Sequence, residues 1–173
     1  MHFHACRICL LLTLLVMVLV SCSSTTDPPS EGELEPLTMV SVQGTFEVEV
    51  DFDTIKLTPA GSNCFLEIEG VLEFFGTLAG EASGKTTALI FAPCEVVAVS
   101  PPGTFRDVFM SQLVFEGTVN DHPVTTDMTY QGQVEEGGDI TALIRFANGL
   151  RGKVDVDGEV AVGGSYSGFV KVK

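Results

Sequence analysis

Phe46-Glu47-Val48-Glu49-Val50-Asp51-Phe52-Asp53 alternates apolar and acidic side chains without interruption. Successive side chains of a strand point to opposite faces, so this order gives one extended segment an apolar face and a carboxylate face. A helix, turning about 100° per residue, would scatter the same residues around its circumference. The same period of two begins at Thr38 and recurs at 65–75, 85–91, 108–119, 124–134, 140–146, 153–162 and 166–172, predicting eight strands. Turn chemistry separates them: Pro59-Ala60-Gly61-Ser62-Asn63, the glycine-rich residues 76–84, Ser100-Pro101-Pro102-Gly103, Asn120-Asp121, Gly137-Gly138, Asn148-Gly149 and Gly163-Gly164. Short links make neighbouring strands antiparallel, and closing the sheet removes both edges. The expectation is an all-β domain at 39–173, an eight-stranded antiparallel barrel of calycin-like form.

The chain as a whole supports one such domain. It has 173 residues, 45% hydrophobic, and its 12 Phe suffice for much of a core, which argues against disorder. Acids outnumber bases 23 to 9, for a net charge of −14. A surface this acidic repels phosphate, which excludes nucleic acid as a partner; Arg151 with Lys153 forms one short basic run.

Ahead of the strands lies an address. Residues 1–7 carry one firm positive charge, Arg7, and residues 8–20 are thirteen mostly apolar residues, the length of a signal-peptide core and short of a spanning helix. They end in Leu19-Val20-Ser21-Cys22, which resembles the lipobox of bacterial lipoproteins. The resemblance implies a signal peptide at 1–21, a diacylglyceryl thioether and amine acylation (palmitate) at Cys22, and a place in the cell envelope. Ser23 after the cysteine implies sorting to the outer membrane. Three acyl chains exceed what stable anchoring needs. Residues 22–38, rich in Ser, Thr, Pro and acids, read as a tether whose charge holds the folded part off anionic headgroups. Loss of Arg7 takes the mature charge from −14 to −15.

Gly70, Gly117, Gly132, Gly158 and Gly168 share the apolar parity of their strands. Inward glycines permit the bending that tight closure needs, or else leave a cavity for a small ligand. Three stretches, Gly149-Leu150-Arg151-Gly152 with Gly158-Glu159 and Gly163-Gly164-Ser165-Tyr166-Ser167-Gly168, then Gln43-Gly44-Thr45-Phe46-Glu47-Val48, then Gly76-Thr77-Leu78-Ala79-Gly80-Glu81-Ala82, resemble the barrel of the allene-oxide-cyclase type. That resemblance covers the folded part and implies a barrel. It fixes no activity, because related barrels steer reactions without catalysing them and no catalytic position can be matched here.

Cys64 and Cys94 flank an expected hairpin centred near Ala79, which would set them opposite one another; in an oxidising compartment they form a disulfide contributing about 3–4 kcal/mol. No catalytic residue is assigned. His122 sits in a turn, Asn120-Asp121-His122-Pro123, without a nucleophile or a second metal ligand at defined spacing. Asp51, Asp53, Asp155, Asp157 and Glu159 alternate with apolar residues as outward rows, so neither a metal nor a cofactor is expected.

Three functions remain open. One is a non-enzymatic envelope lipoprotein that binds a small apolar ligand or a protein partner, with Ser111, Thr126, Met128, Tyr130 and Tyr166 at inward parity as pocket lining or plain core. Another is a cyclase-like isomerase acting on an oxidised lipid, which requires an inward carboxylate or amide of raised pKa. The last, a transmembrane barrel, conflicts with the absence of Trp and a count of two Tyr, too few for aromatic girdles.

Overall fold

The alternating rows become strands because each buries one face against the others. The computed structural model describes residues 38–172. In chain order it contains β1 (Thr38–Ala60), β2 (Asn63–Gly76), β3 (Leu78–Ile90), a single helical turn α1 (Cys94–Val97), β4 (Asp107–Val119), β5 (His122–Val134), β6 (Asp139–Ala147), β7 (Arg151–Glu159) and β8 (Gly163–Val172). Every strand runs antiparallel to the next, and β8 pairs with β1 from Thr38↔Val172 to Glu47↔Gly163, closing the eight-stranded barrel. The 1–21 signal peptide and all of the 22–38 tether except Thr38 lie outside the described residues.

Inward parity is apolar. On β4, Ser111, Leu113, Phe115 and Val119 are buried while Gln112, Val114 and Glu116 face out. Aromatic rings meet across the interior: Phe115 on Phe74 at 5.7 Å, Phe74 on Phe46 at 5.5 Å, Phe46 on Tyr130 at 6.1 Å and Tyr130 on Phe109 at 4.9 Å. Rings from β1, β2, β4 and β5 thus fill the barrel with its own side chains. Carboxylates outside and hydrocarbon inside is the reverse of a bilayer-spanning barrel. The five inward glycines belong to closure: a Cβ on Gly168 would lie 2.5 Å from the Lys153 carbonyl oxygen, and one on Gly70 2.7 Å from that of Glu49. Each contact is with the neighbouring strand's backbone, so these positions are close crossings and leave no empty space.

Several expectations need correction. Residues 76–84 are no turn: Thr77 alone separates β2 from β3, and Gly80 and Gly84 continue the inward parity of β3. Phe52 continues the apolar row in sequence but is exposed, because the β1–β2 register shifts between Asp51 and Lys56. There the Thr54 hydroxyl donates to the Asp51 carbonyl at 2.7 Å and accepts the Glu69 N–H at 2.9 Å, stabilising a bulge that ends the alternation. Gly163-Gly164 opens β8 instead of preceding it, since β7 stops at Glu159 and the chain turns over Val160–Val162.

The disulfide Cys64–Cys94 is present, with a Cα–Cα distance of 4.8 Å. Its route differs from a cross-strand pair. The hairpin is centred on Thr77, so Cys64 faces Ile90, and α1 turns the chain back to bring Cys94 over Cys64. Ala88, Ile90 and Ala92 form a second small apolar cluster around this bridge.

Candidate functional site

A polar group inside an apolar barrel must find a partner or pay desolvation. Four of the five inward residues singled out above have their polar demands met or have none. The Ser111 hydroxyl lies 2.7 Å from that of Thr86. Thr126 donates to the Ala147 carbonyl at 2.7 Å and accepts the Leu150 N–H at 3.2 Å, fixing the β6–β7 link against β5. Met128 is buried in the core. The Tyr166 hydroxyl accepts the Leu78 N–H at 2.9 Å and has the carbonyls of Leu78 and Phe75 at 3.1 and 3.2 Å to donate to. Burial raises its pKa, and the Leu78 backbone bond opposes the rise. This hydroxyl ties β8 to the β2–β3 turn.

Tyr130 is different. Its hydroxyl is buried among aromatic rings with no partner among the described residues, and desolvation drives its pKa upward. Its cross-strand neighbour is Ser111 on β4. Four residues along β4 from Ser111, at the same inward parity, stands Asp107.

Asp107 is the residue that sequence reasoning missed. The row was expected to start at Val108, whereas β4 begins one residue earlier and turns the Asp107 carboxyl inward. Counting back in twos from Ser111 through Phe109 would have found it. Its Oδ1 has no partner among the described residues, and burial pushes its pKa up to about 7. The adjacent Arg106 offers it no charge, because its guanidinium pairs with Glu135 at 2.9 Å. The result is a carboxyl able to hold or release a proton near neutrality at one mouth of the barrel, and a phenol deeper in, on the next strand.

Elsewhere the chemistry is sparse. His122, Asp51, Asp53, Asp155, Asp157 and Glu159 are all exposed. Among the described residues no group of three or more His, Cys, Asp or Glu side chains is gathered to hold a metal. Two depressions, of about 360 and 420 Å³, are open to solvent; one is bounded by Glu49–Asp53 with Gly70 and Val71, the other by Gln43–Thr45, Asp155, Asp157 and Ser165–Ser167.

The fold is similar to the crystal structure of a protein of unknown function from the DUF3224 family of Shewanella oneidensis MR-1. The TM-score is 0.53 at 16% identity, covering 78% of this chain and 96% of that one. Such a likeness speaks to the barrel alone. No family model matches the chain, and no curated protein does.

Two outcomes follow from the interior. Tyr166→Phe strands the buried Leu78 N–H and lowers the unfolding free energy by about 1–3 kcal/mol in urea titrations. For Asp107, the folded-state pKa of about 7 lies above its ordinary 3.8, so the folded barrel binds the proton more tightly than the unfolded chain. Stability therefore falls as pH rises between those two values and levels off above the upper one. Asp107→Asn removes that slope, which amounts to about 2 kcal/mol once partial solvation of the carboxyl is discounted; urea titrations at stepped pH measure it.

Proposed function

We propose that this chain is a lipid-anchored envelope lipoprotein whose barrel is a non-enzymatic structural or binding module working through its outer wall. The observation that carries the reading is the division of the sequence. An apolar run ends at Leu19-Val20-Ser21-Cys22, and a charged, Ser- and Pro-rich stretch leads from there into the barrel. Acylation at Cys22 holds the protein on its membrane, with the outer membrane favoured by Ser23. The packed aromatic interior supports the second half of the reading: rings from four strands occupy the space that a carrier barrel would leave to a ligand. Of the five inward candidates, Tyr130 has a hydroxyl without a partner among the described residues, and a ligand reaching it would have to displace the ring of Phe46 or Phe109.

The test is the intact mass of the protein extracted from its own envelope under native conditions. The expected mass is the chain from Cys22 onward plus acyl groups, with no co-purified small molecule, and Cys22→Ser abolishes the acyl addition. An unacylated product refutes the anchor, and a bound lipid-like mass refutes the filled-module reading.

One observation favours a second reading, an isomerase of the cyclase type. Asp107 is an inward carboxyl with a pKa pushed into the working range of a general acid or base. On that reading the protein turns over an epoxy or hydroperoxy fatty acid, and Asp107→Asn lowers the rate by about 100-fold or more. Absence of turnover above the uncatalysed rate eliminates it.

A further inference from the structure

The closing strands gather positive charge that the linear sequence scatters. Arg145 on β6 lies directly across from Lys153 on β7, and Arg151 on β7 directly across from Lys171 on β8. All four face out, and neither ion pair among the described residues involves them. Like charges directly opposite one another destabilise a sheet. Two such pairs side by side, in a chain with a net charge of −14, have no stabilising role that the fold accounts for. No acid stands across from any of the four: Arg145 also faces Thr129, Lys153 faces Phe169, and Lys171 faces Met39. Strand spacing puts the group within about 10 Å across the sheet.

Two large apolar side chains interrupt this patch. Phe169 is 58% exposed and Met39 62% exposed, each beside a cation on the adjacent strand. The outer row of β7 then reverses sign, from Arg151 and Lys153 to Asp155, Asp157 and Glu159. The basic residues therefore form a local strip on β6–β8 beside the start of β1, on a wall that is otherwise acidic and that carries Glu47, Glu73, Glu81 and Glu116 in direct register on β1–β4. That is also where the fifteen residues joining Cys22 to Thr38 enter the fold, one residue from Met39.

We infer that this face docks on an anionic lipid surface, with Arg145, Arg151, Lys153 and Lys171 on headgroup phosphates and with Phe169 and Met39 entering the interface. Charge complementarity and the point of entry of the preceding chain select the occupant. A basic side chain at such a surface is worth about fivefold in affinity, and apolar side chains beside it add burial. The acids that cover the rest of the wall are repelled by such a surface and leave this strip as the contact, so the acidic tether and the basic face act in opposite senses. The inference deepens the anchored-lipoprotein reading, which supplies the proximity to lipid.

The chain lacks Trp, so Phe169→Trp in the full-length protein places a sole tryptophan, excited selectively at the red edge apart from the two Tyr, at the exposed centre of the patch. On phosphatidylglycerol vesicles its emission shifts to the blue and is quenched by brominated acyl chains. On phosphatidylcholine vesicles it stays solvent-like. Adding Arg151→Glu and Lys153→Glu lowers the ratio of docked to free barrel by at least about 25-fold and abolishes the shift. Arg151→Gln with Lys153→Gln weakens it to a lesser degree, and thermal melts of each variant lie at or above the parent's, because both positions are exposed and each change removes a like-charge pair. Emission that is solvent-like on both lipids, or a shift that survives charge reversal, overturns the proposal. An equal shift with soluble polyphosphate and no vesicles names a free polyanion and overturns the lipid surface. Flotation with phosphatidylcholine vesicles reads the acyl anchor separately, so failure of the anchor and failure of the docking face are distinguished.

Discussion

Everything in this molecule depends on parity within a closed ladder. Once β8 pairs with β1, each strand has two hydrogen-bonded neighbours, and a residue's face is fixed by whether its position is odd or even relative to them. A slip by one residue anywhere would exchange aromatic rings for carboxylates around the whole wall. The interior is narrow enough that rings from β1, β2, β4 and β5 touch in series. Strands can crowd this closely because glycine occupies the crossings where a Cβ would strike a neighbouring carbonyl.

Much of the fold was legible because alternation is a local signal. The row at Phe46 needed no partner to be recognised, and Asn120-Asp121 announced a tight hairpin that the structure makes with positive φ values of 49° and 68°. Misreadings arose where a residue type has two uses. Glycine marks both turns and close crossings, and within residues 76–84 Gly80 and Gly84 serve the second. The exposure of Phe52 follows from a bulge held by Thr54, a bond between β1 and β2 that no local pattern encodes. The cysteine pair was legible for a partly mistaken reason: the hairpin centre lies at Thr77, and α1 supplies the missing reach.

The site was less legible than the fold. The five inward candidates share a parity that buries all of them; which of them keeps a free polar group depends on partners 21 to 91 residues distant. Asp107 fell outside the expected strand by one position, and strand ends are where periodicity is weakest. Of the basic face, Arg151 and Lys153 were visible as a run, but Arg145 and Lys171 join them through register alone.

The bond between the Tyr166 hydroxyl and Leu78 spans 88 residues, and the β1–β8 ladder spans nearly the whole described chain. Until its last strand is in hand, the growing polypeptide can form hairpins but no ring, and the rims of β1 and β7 stay bare. Its maturation is thus all or nothing with respect to length: the tail end acts as a keystone, and a product cut short before it offers open strand edges to any neighbour that can add to them.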